Sequence, residues 1–214
     1  MSVVIRSIAS YIPEIRIDNN ELAAKVDTTD EWIRSHTGIG ARHIAPDGIL
    51  TSDMAAQAAK SALEKAKISA REIDILIVAT ATPDYFGFPG TSCIVQDKIE
   101  AYGCTAFDVV AGCTGFIYAL DIASAMLEAR HARNALVIGA ESLSRIVDWN
   151  DRSTAVLFGD GAGAAVLSRI DEPDAGAFPS SLERKEAVQR TCIWFRLTGR
   201  TPSAGKRLRP LSFT

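Results

Sequence analysis

Along the first 170 residues, apolar positions fall into two alternating kinds of run: short unbroken ones that read as strands, and longer ones with three- and four-residue spacing that read as helices. Val3–Ile8 is of the first kind and ends near Pro13. Thr28-Thr29-Asp30-Glu31 has the Thr-x-x-Glu spacing of a capping box, and opens a short helix that Gly38 can close. Ser52 to Lys67 follows as an Ala-rich amphipathic helix, and Ser69 with Glu72 can cap one more turn. Residues 73–79 are apolar almost throughout, as expected of a strand covered on both faces. A loop over 80–90 leads to a helix over 91–102 that Gly103 stops. Then come a strand over 106–110, a small-residue turn over 111–115, a long helix from about Thr114 to Arg130 and a second buried strand over 135–140. The run closes with 155–158, a glycine-rich turn over 159–163, and 164–167. Strands alternating with helices of these lengths predict an α/β domain around a largely covered sheet.

Beyond Ile170 the pattern stops. Four of the eight prolines fall there, neither a two-residue nor a 3.6-residue period is present, and only Thr191–Leu197 has strand character. Residues 1–186 carry 17 Lys+Arg and all 26 Asp+Glu, whereas 187–214 carry six basic residues and no acid. The formal net charge of −3 therefore joins two unlike pieces: a domain over 1–170 and an irregular basic tail over 171–214. The tail has no heptads and no repeated basic motif, so a nucleic-acid partner is not expected. With 47% hydrophobic and 23% charged residues, the chain is neither collagenous nor mostly disordered. No apolar run approaches the roughly 18 to 20 residues of a membrane span, and the first residues lack the form of a signal peptide. The expectation is a cytoplasmic protein without a membrane partner. Four cysteines without CxxC spacing predict free thiols and no zinc site.

Cys113 ends a buried strand, in a turn of small residues, directly before the long helix. That placement brings the helix's free N–H groups and positive dipole end near the sulfur and favours thiolate. The local form is that of a nucleophile elbow, with Gly112 and Gly115 leaving room for a thioester. The competing reading is a small buried hydrophobe. A thiolate nucleophile normally has a helper group, and the histidines are His36, His43 and His131. His131 is placed about 25 Å away, at the far end of the helix. His36 and His43 fall in a polar segment and read as exposed loop residues.

The segment 107–116, Phe-Asp-Val-Val-Ala-Gly-Cys-Thr-Gly-Phe, closely resembles the active-cysteine region of the β-ketoacyl-[acyl-carrier-protein] synthase III family. So do the segments 27–33, 37–39, 41–44 and 158–167, in the same order, over residues 1 to about 170. The resemblance implies a thiolase-like fold, here its N-terminal α/β half, with the five-layer architecture of the family left incomplete. It implies that Cys113 takes a short acyl group from acyl-CoA as a thioester, which then condenses with malonyl-acyl-carrier protein. CoA is a substrate, and no cofactor is implied. Thr28, Trp32, His36 and Arg152 would hold CoA, with the adenine on Trp32 against Arg152. His36 stands where the family has a phosphate-binding arginine, and neutral imidazole is a poorer phosphate partner. Phe88, Leu143 and Phe158 would bound the acyl pocket, Phe88 reaching across a homodimer. By residue type alone, Trp32 would be a packing residue, Arg152 a surface charge and Thr28 a helix cap.

The family's second half brings a His, an Asn and an oxyanion-hole N–H, and nothing after Ile170 matches it. Loss of such donors costs on the order of 10² to 10³ in rate each, so this chain is not expected to complete the condensation. A frameshift near codon 170 would account for the tail, and reading the other two frames for a His- and Asn-bearing continuation tests that. The alternative is a non-catalytic dimerising or binding subunit that pairs with a complete synthase. An uncovered apolar face on the sheet is expected in either case.

Overall fold

A computed structural model describes residues 2–129 and 132–171 of the chain. The expected tail over 171–214, its candidate strand Thr191–Leu197, Cys192 and His131 lie outside the described residues, apart from Asp171.

Five strands form one mixed sheet: β1 (Ser2–Tyr11), β4 (Ile75–Ala79), β5 (Thr105–Val109), β6 (Asn134–Ser142) and β7 (Asp160–Ile170), in the order β1-β7-β6-β4-β5. β5, β4 and β6 are parallel, and β7 runs antiparallel to both β6 and β1. A separate two-stranded ladder pairs β2 (Ile15–Asp18) with β3 (Ala41–Ile44). Between these two lie α1 (Asn19–Ala23) and α2 (Asp30–Thr37); α3 (Thr51–Ala66), α4 (Thr91–Lys98), α5 (Gly115–Ala129) and α6 (Arg152–Ala155) complete the helices of the described residues.

β4 shows why the central strands read as unbroken apolar runs, since all five of its residues are buried. Leu76 and Val78 join Leu136, Ile138 and Val166 beneath α3, while Ile75 and Ile77 join Val137 and Leu167 beneath α5. Each large aliphatic side chain so covered contributes roughly 1.5–3 kcal/mol. The Ala55, Ala58, Ala59 and Ala62 face of α3 is fully buried, and small side chains there let the helix lie close to the sheet.

α5 leaves part of its own face of the sheet bare. Ile5 and Ile8 of β1 pair with Leu167 and Ala165, which lie on the α5 side, yet they are 50% and 67% exposed. The expected apolar patch is therefore present.

Three local expectations are corrected. The cap of α2 is Thr29, whose Oγ1 accepts the Trp32 N–H, one residue later than the spacing of Thr28 and Glu31 suggested. Gly38 does end that helix, at φ +74°. The helix expected over 91–102 ends at Lys98, because Glu100 turns the backbone at φ +58° and the Gln96 amide takes the carbonyls of Ala101 and Cys104. The glycine-rich turn expected over 159–163 belongs largely to β7, an unbroken strand of 11 residues. Gly161 and Gly163 pair with Glu141 and Gly139 of β6, and Ala162 and Gly163 pair with Tyr11 and Ser10 of β1, so strand pairing holds extended a segment that composition alone would bend.

Candidate active site

Cys113 sits above the carboxyl ends of the parallel strands, the position where open α/β sheets bind ligands. Ala79 is in register with Val109 on one side and Gly139 on the other, and the chain leaves β5 into a short 3-10 turn, Gly112–Thr114. Gly112 has φ +54°, a conformation that disfavours a side chain. At Gly115, the first residue of α5, a Cβ would lie 3.3 Å from that of Ala79, so glycine lets the helix start directly against β4. Thr114 Oγ1 donates to Ala111 O at 3.0 Å and fastens the turn. The result is an exposed thiol two residues ahead of a 15-residue helix, near its free N–H groups.

The other described cysteines are placed differently. Cys104 is buried, and desolvation pushes its thiol up, opposed by the Gln96 amide at 3.3 Å. Cys93 is exposed in the first turn of α4, inside the helix and not on the turn that leaves a strand. All three are free thiols, as expected.

The four residues assigned to CoA come together between α2 and α6. Trp32 and His36, one helical turn apart, stack at 4.3 Å between ring centroids and 21° between planes. The Arg152 guanidinium lies 5.0 Å from the Trp32 ring and donates to Asp27 O at 3.0 Å. Thr28 follows Asp27, and its Oγ1 is buried with no hydrogen-bond partner among the described residues.

Both loop-histidine readings are revised. His36 is exposed but lies on α2, with Nδ1 2.8 Å from Trp32 O, and His43 is a half-buried β3 residue with Nδ1 2.6 Å from Pro13 O. The three acyl-pocket residues are spread along separate loops. Phe88 is 90% exposed, so it bounds no pocket within this chain. Leu143 opens the 3-10 turn after β6, and Phe158 precedes β7; both are half-buried.

Several supporting residues had no individual signal in the sequence. Asp160 Oδ2 accepts Ala45 N at 2.8 Å and Ser144 Oγ at 2.6 Å, and its Oδ1 accepts Ser144 N at 2.9 Å. This carboxylate binds the loops after β3 and β6 to the start of β7. Asp108 on β5 accepts the N–H groups of Thr91 and Ser92, both at 2.7 Å, and so caps α4. Glu141 accepts Ala81 N and Thr82 Oγ1, fastening the loop after β4 to the end of β6. Arg42 is buried and donates to Asn19 Oδ1 at 2.7 Å; burial lowers its pKa, and the Asp18 charge opposes this. The signal for Asp108, Asp160 and Arg42 was their position inside the resembling segments, where only glycine, cysteine and aromatic residues stood out by type.

Asp30 ties α2 to α1. It accepts from Asn19 Nδ2 at 2.7 Å and from Arg34 Nε at 2.8 Å, and the Arg34 and Asn19 hydrogen bonds hold its carboxyl below its ordinary value of 3.8. A depressed folded value stabilises the fold fully above that ordinary value, and the contribution is lost as pH falls below it. Acid titration of Trp32 emission, with the other two tryptophans replaced by Phe, is expected to show a transition below pH 3.8 that Asp30→Asn removes. An identical acid limb in both proteins would refute the role.

The family model for 3-oxoacyl-[acyl-carrier-protein] synthase III matches residues 107–185. The β-ketoacyl-[acyl-carrier-protein] synthase III of Neisseria gonorrhoeae is 59% identical over 165 residues, which is 77% of this chain and 51% of the relative. Among solved structures, the 3-oxoacyl-[acyl-carrier-protein] synthase III of Aquifex aeolicus superposes with a TM-score of 0.77 at 50% identity, covering 80% of this chain and 55% of that one. A priming β-ketosynthase of the R1128 polyketide pathway gives 0.78 at 35% identity, covering 82% and 52%. The chain spans about half the length of the curated relatives it matches. With the Cys113 turn, the sheet and these likenesses in agreement, the chain is closely similar to about half of a β-ketoacyl-[acyl-carrier-protein] synthase III and has the thiolase-like fold of that family.

Proposed function

We propose that this chain carries the acyl-loading half of an initiating condensing enzyme, with Cys113 as the nucleophile. The observation that supports it most is the exposed Cys113 thiol on the turn between β5 and α5, at the carboxyl ends of three parallel strands. Its sulfur would attack the carbonyl carbon of a short acyl-CoA; the new sulfur–carbon bond forms as the bond to CoA sulfur breaks, and CoA leaves with the electron pair and is protonated. Trp32 and Arg152 would take the adenine between ring and guanidinium, with Thr28 and His36 at the same mouth. Leu143 and Phe158 would bound the acyl chain. CoA enters as a substrate, and the reading requires no cofactor. Condensation with malonyl-acyl-carrier protein would follow in an assembly that supplies the groups found in the family's second half. Intact-mass measurement after incubation with acetyl-CoA tests the reading: one acetyl adduct, mapped to Cys113, is expected, and unmodified folded protein would overturn it.

A second reading, a dimerising subunit, is favoured by a different observation. Phe86 and Phe88 are 98% and 90% exposed, Val110, the residue after β5, is exposed too, and β5 is an edge strand of the sheet. A homodimer through this edge would cover them. Sedimentation is expected to show a dimer that Phe86→Asp with Phe88→Asp converts to monomer; an unchanged sedimentation coefficient would exclude this surface.

A further inference from the structure

We propose that the cleft between α1, β3 and the turn after β6 is a binding site for a small amphipathic carboxylate, separate from the acyl-loading site. The cleft has a volume of about 530 Å³, within the usual range for small-molecule sites. Ile17, Leu22, Ile44, Leu50 and Trp149 supply its apolar surface. None of Thr28, Trp32, His36, Cys113 or Arg152 lines it.

The Ser144, Arg145 and Trp149 side chains of the lining are already hydrogen-bonded. Trp149 Nε1 donates to Ser144 O at 3.0 Å, so its indole offers the cleft apolar surface. Ser144 Oγ donates to Asp160 Oδ2 at 2.6 Å, and Arg145 donates to Ile49 O. A ligand body placed there meets no free hydroxyl or amide from these groups and must itself be apolar.

The charges define the other end of the ligand. Lys25 and Arg145 are cationic and Asp47 is anionic, which leaves the lining positive by one. Arg145 is already bonded to Ile49 O and near enough to Asp53 to lower that carboxyl. Lys25 is exposed and has no ion-pair partner among the described residues. Its ammonium is the group left to meet a carboxylate, with the acyl or aryl body of the ligand against Leu22 and Trp149. The walls are fixed without a ligand. Arg42 joins β3 to Asn19 at the start of α1, and Asp160 holds both Ala45 and Ser144.

Calorimetric titration of the full chain with sodium decanoate, below its micellar concentration, tests the site. Saturable one-site binding is expected, with decanol weaker by about tenfold because it lacks the charge. Lys25→Glu is expected to weaken decanoate by about tenfold or more and leave decanol unchanged. Ile44→Trp should remove both by filling the cleft, with the circular dichroism spectrum as the check on folding. Absence of saturable binding overturns the proposal. So does decanoate affinity that is unaffected by Lys25→Glu but lost when acetyl-CoA competes, which would place the ligand at the acyl-loading site instead.

Discussion

Cys113→Ala is expected to abolish acyl loading, lowering the rate of adduct formation from acetyl-CoA by on the order of 10³-fold or more. The expectation rests on placement. Cys93 and Cys113 are both exposed thiols, but Cys113 stands on the tight turn between β5 and α5, two residues ahead of the helix, whereas Cys93 is the third residue of α4, reached from β4 through a long loop. Cys93→Ala should therefore leave the adduct intact, and this paired variant separates a positioned nucleophile from general thiol accessibility. Cys104 is excluded on different grounds, since burial pushes its thiol up. Intact mass and peptide mapping read both variants. Retention of the adduct in Cys113→Ala, or its loss in Cys93→Ala, would show that the acyl group goes elsewhere.

Asp160→Ala is expected to destabilise the fold by roughly 2–4 kcal/mol, read as a lower urea midpoint at unchanged slope. The carboxylate is nearly buried and accepts three hydrogen bonds, from Ala45 N, Ser144 N and Ser144 Oγ. Alanine would leave those donors without acceptors at a point where three segments meet, and a buried unpaired donor is costly. Asp160→Asn should fall between the two, because its amide keeps one accepting oxygen but turns N–H groups toward donors. The same substitution should loosen the turn that carries Leu143, so acyl loading is expected to fall along with stability. A loss below about 0.5 kcal/mol for Asp160→Ala would place it with ordinary surface positions and sink the assignment.

Much of the scaffold was legible because each core strand carries its own pattern. β4 could be read from its unbroken apolar run, since a strand covered by α3 on one face and α5 on the other has no polar side to show. α3 could be read from its alanines, and the Ser69–Glu72 cap forms where its spacing put it. The glycines of 159–163 were misleading for a physical reason: backbone freedom permits a turn, but here it served an extended strand paired on both edges. The β2–β3 ladder carried no signal of its own, because its strands are four residues each and are separated by two helices.

The candidate site divides along the same line. Cys113, with its glycines and following helix, is a contiguous stretch, so sequence by itself determined the strand–turn–helix setting of the candidate nucleophile. Trp32 and Arg152 are 120 positions apart in the chain, and residue type marked neither for more than packing or surface charge; their 5.0 Å approach exists because α6 and α2 are brought together around a small core that includes Ile33, Ala155 and Val156. The anchoring roles of Asp160, Asp108 and Arg42 likewise depend on partners such as Ala45, Thr91 and Asn19 that are distant in sequence. A local pattern records what the backbone does over a few residues. The energy of a buried carboxylate or a stacked cation depends on which donors and rings surround it, and only the tertiary structure decides those.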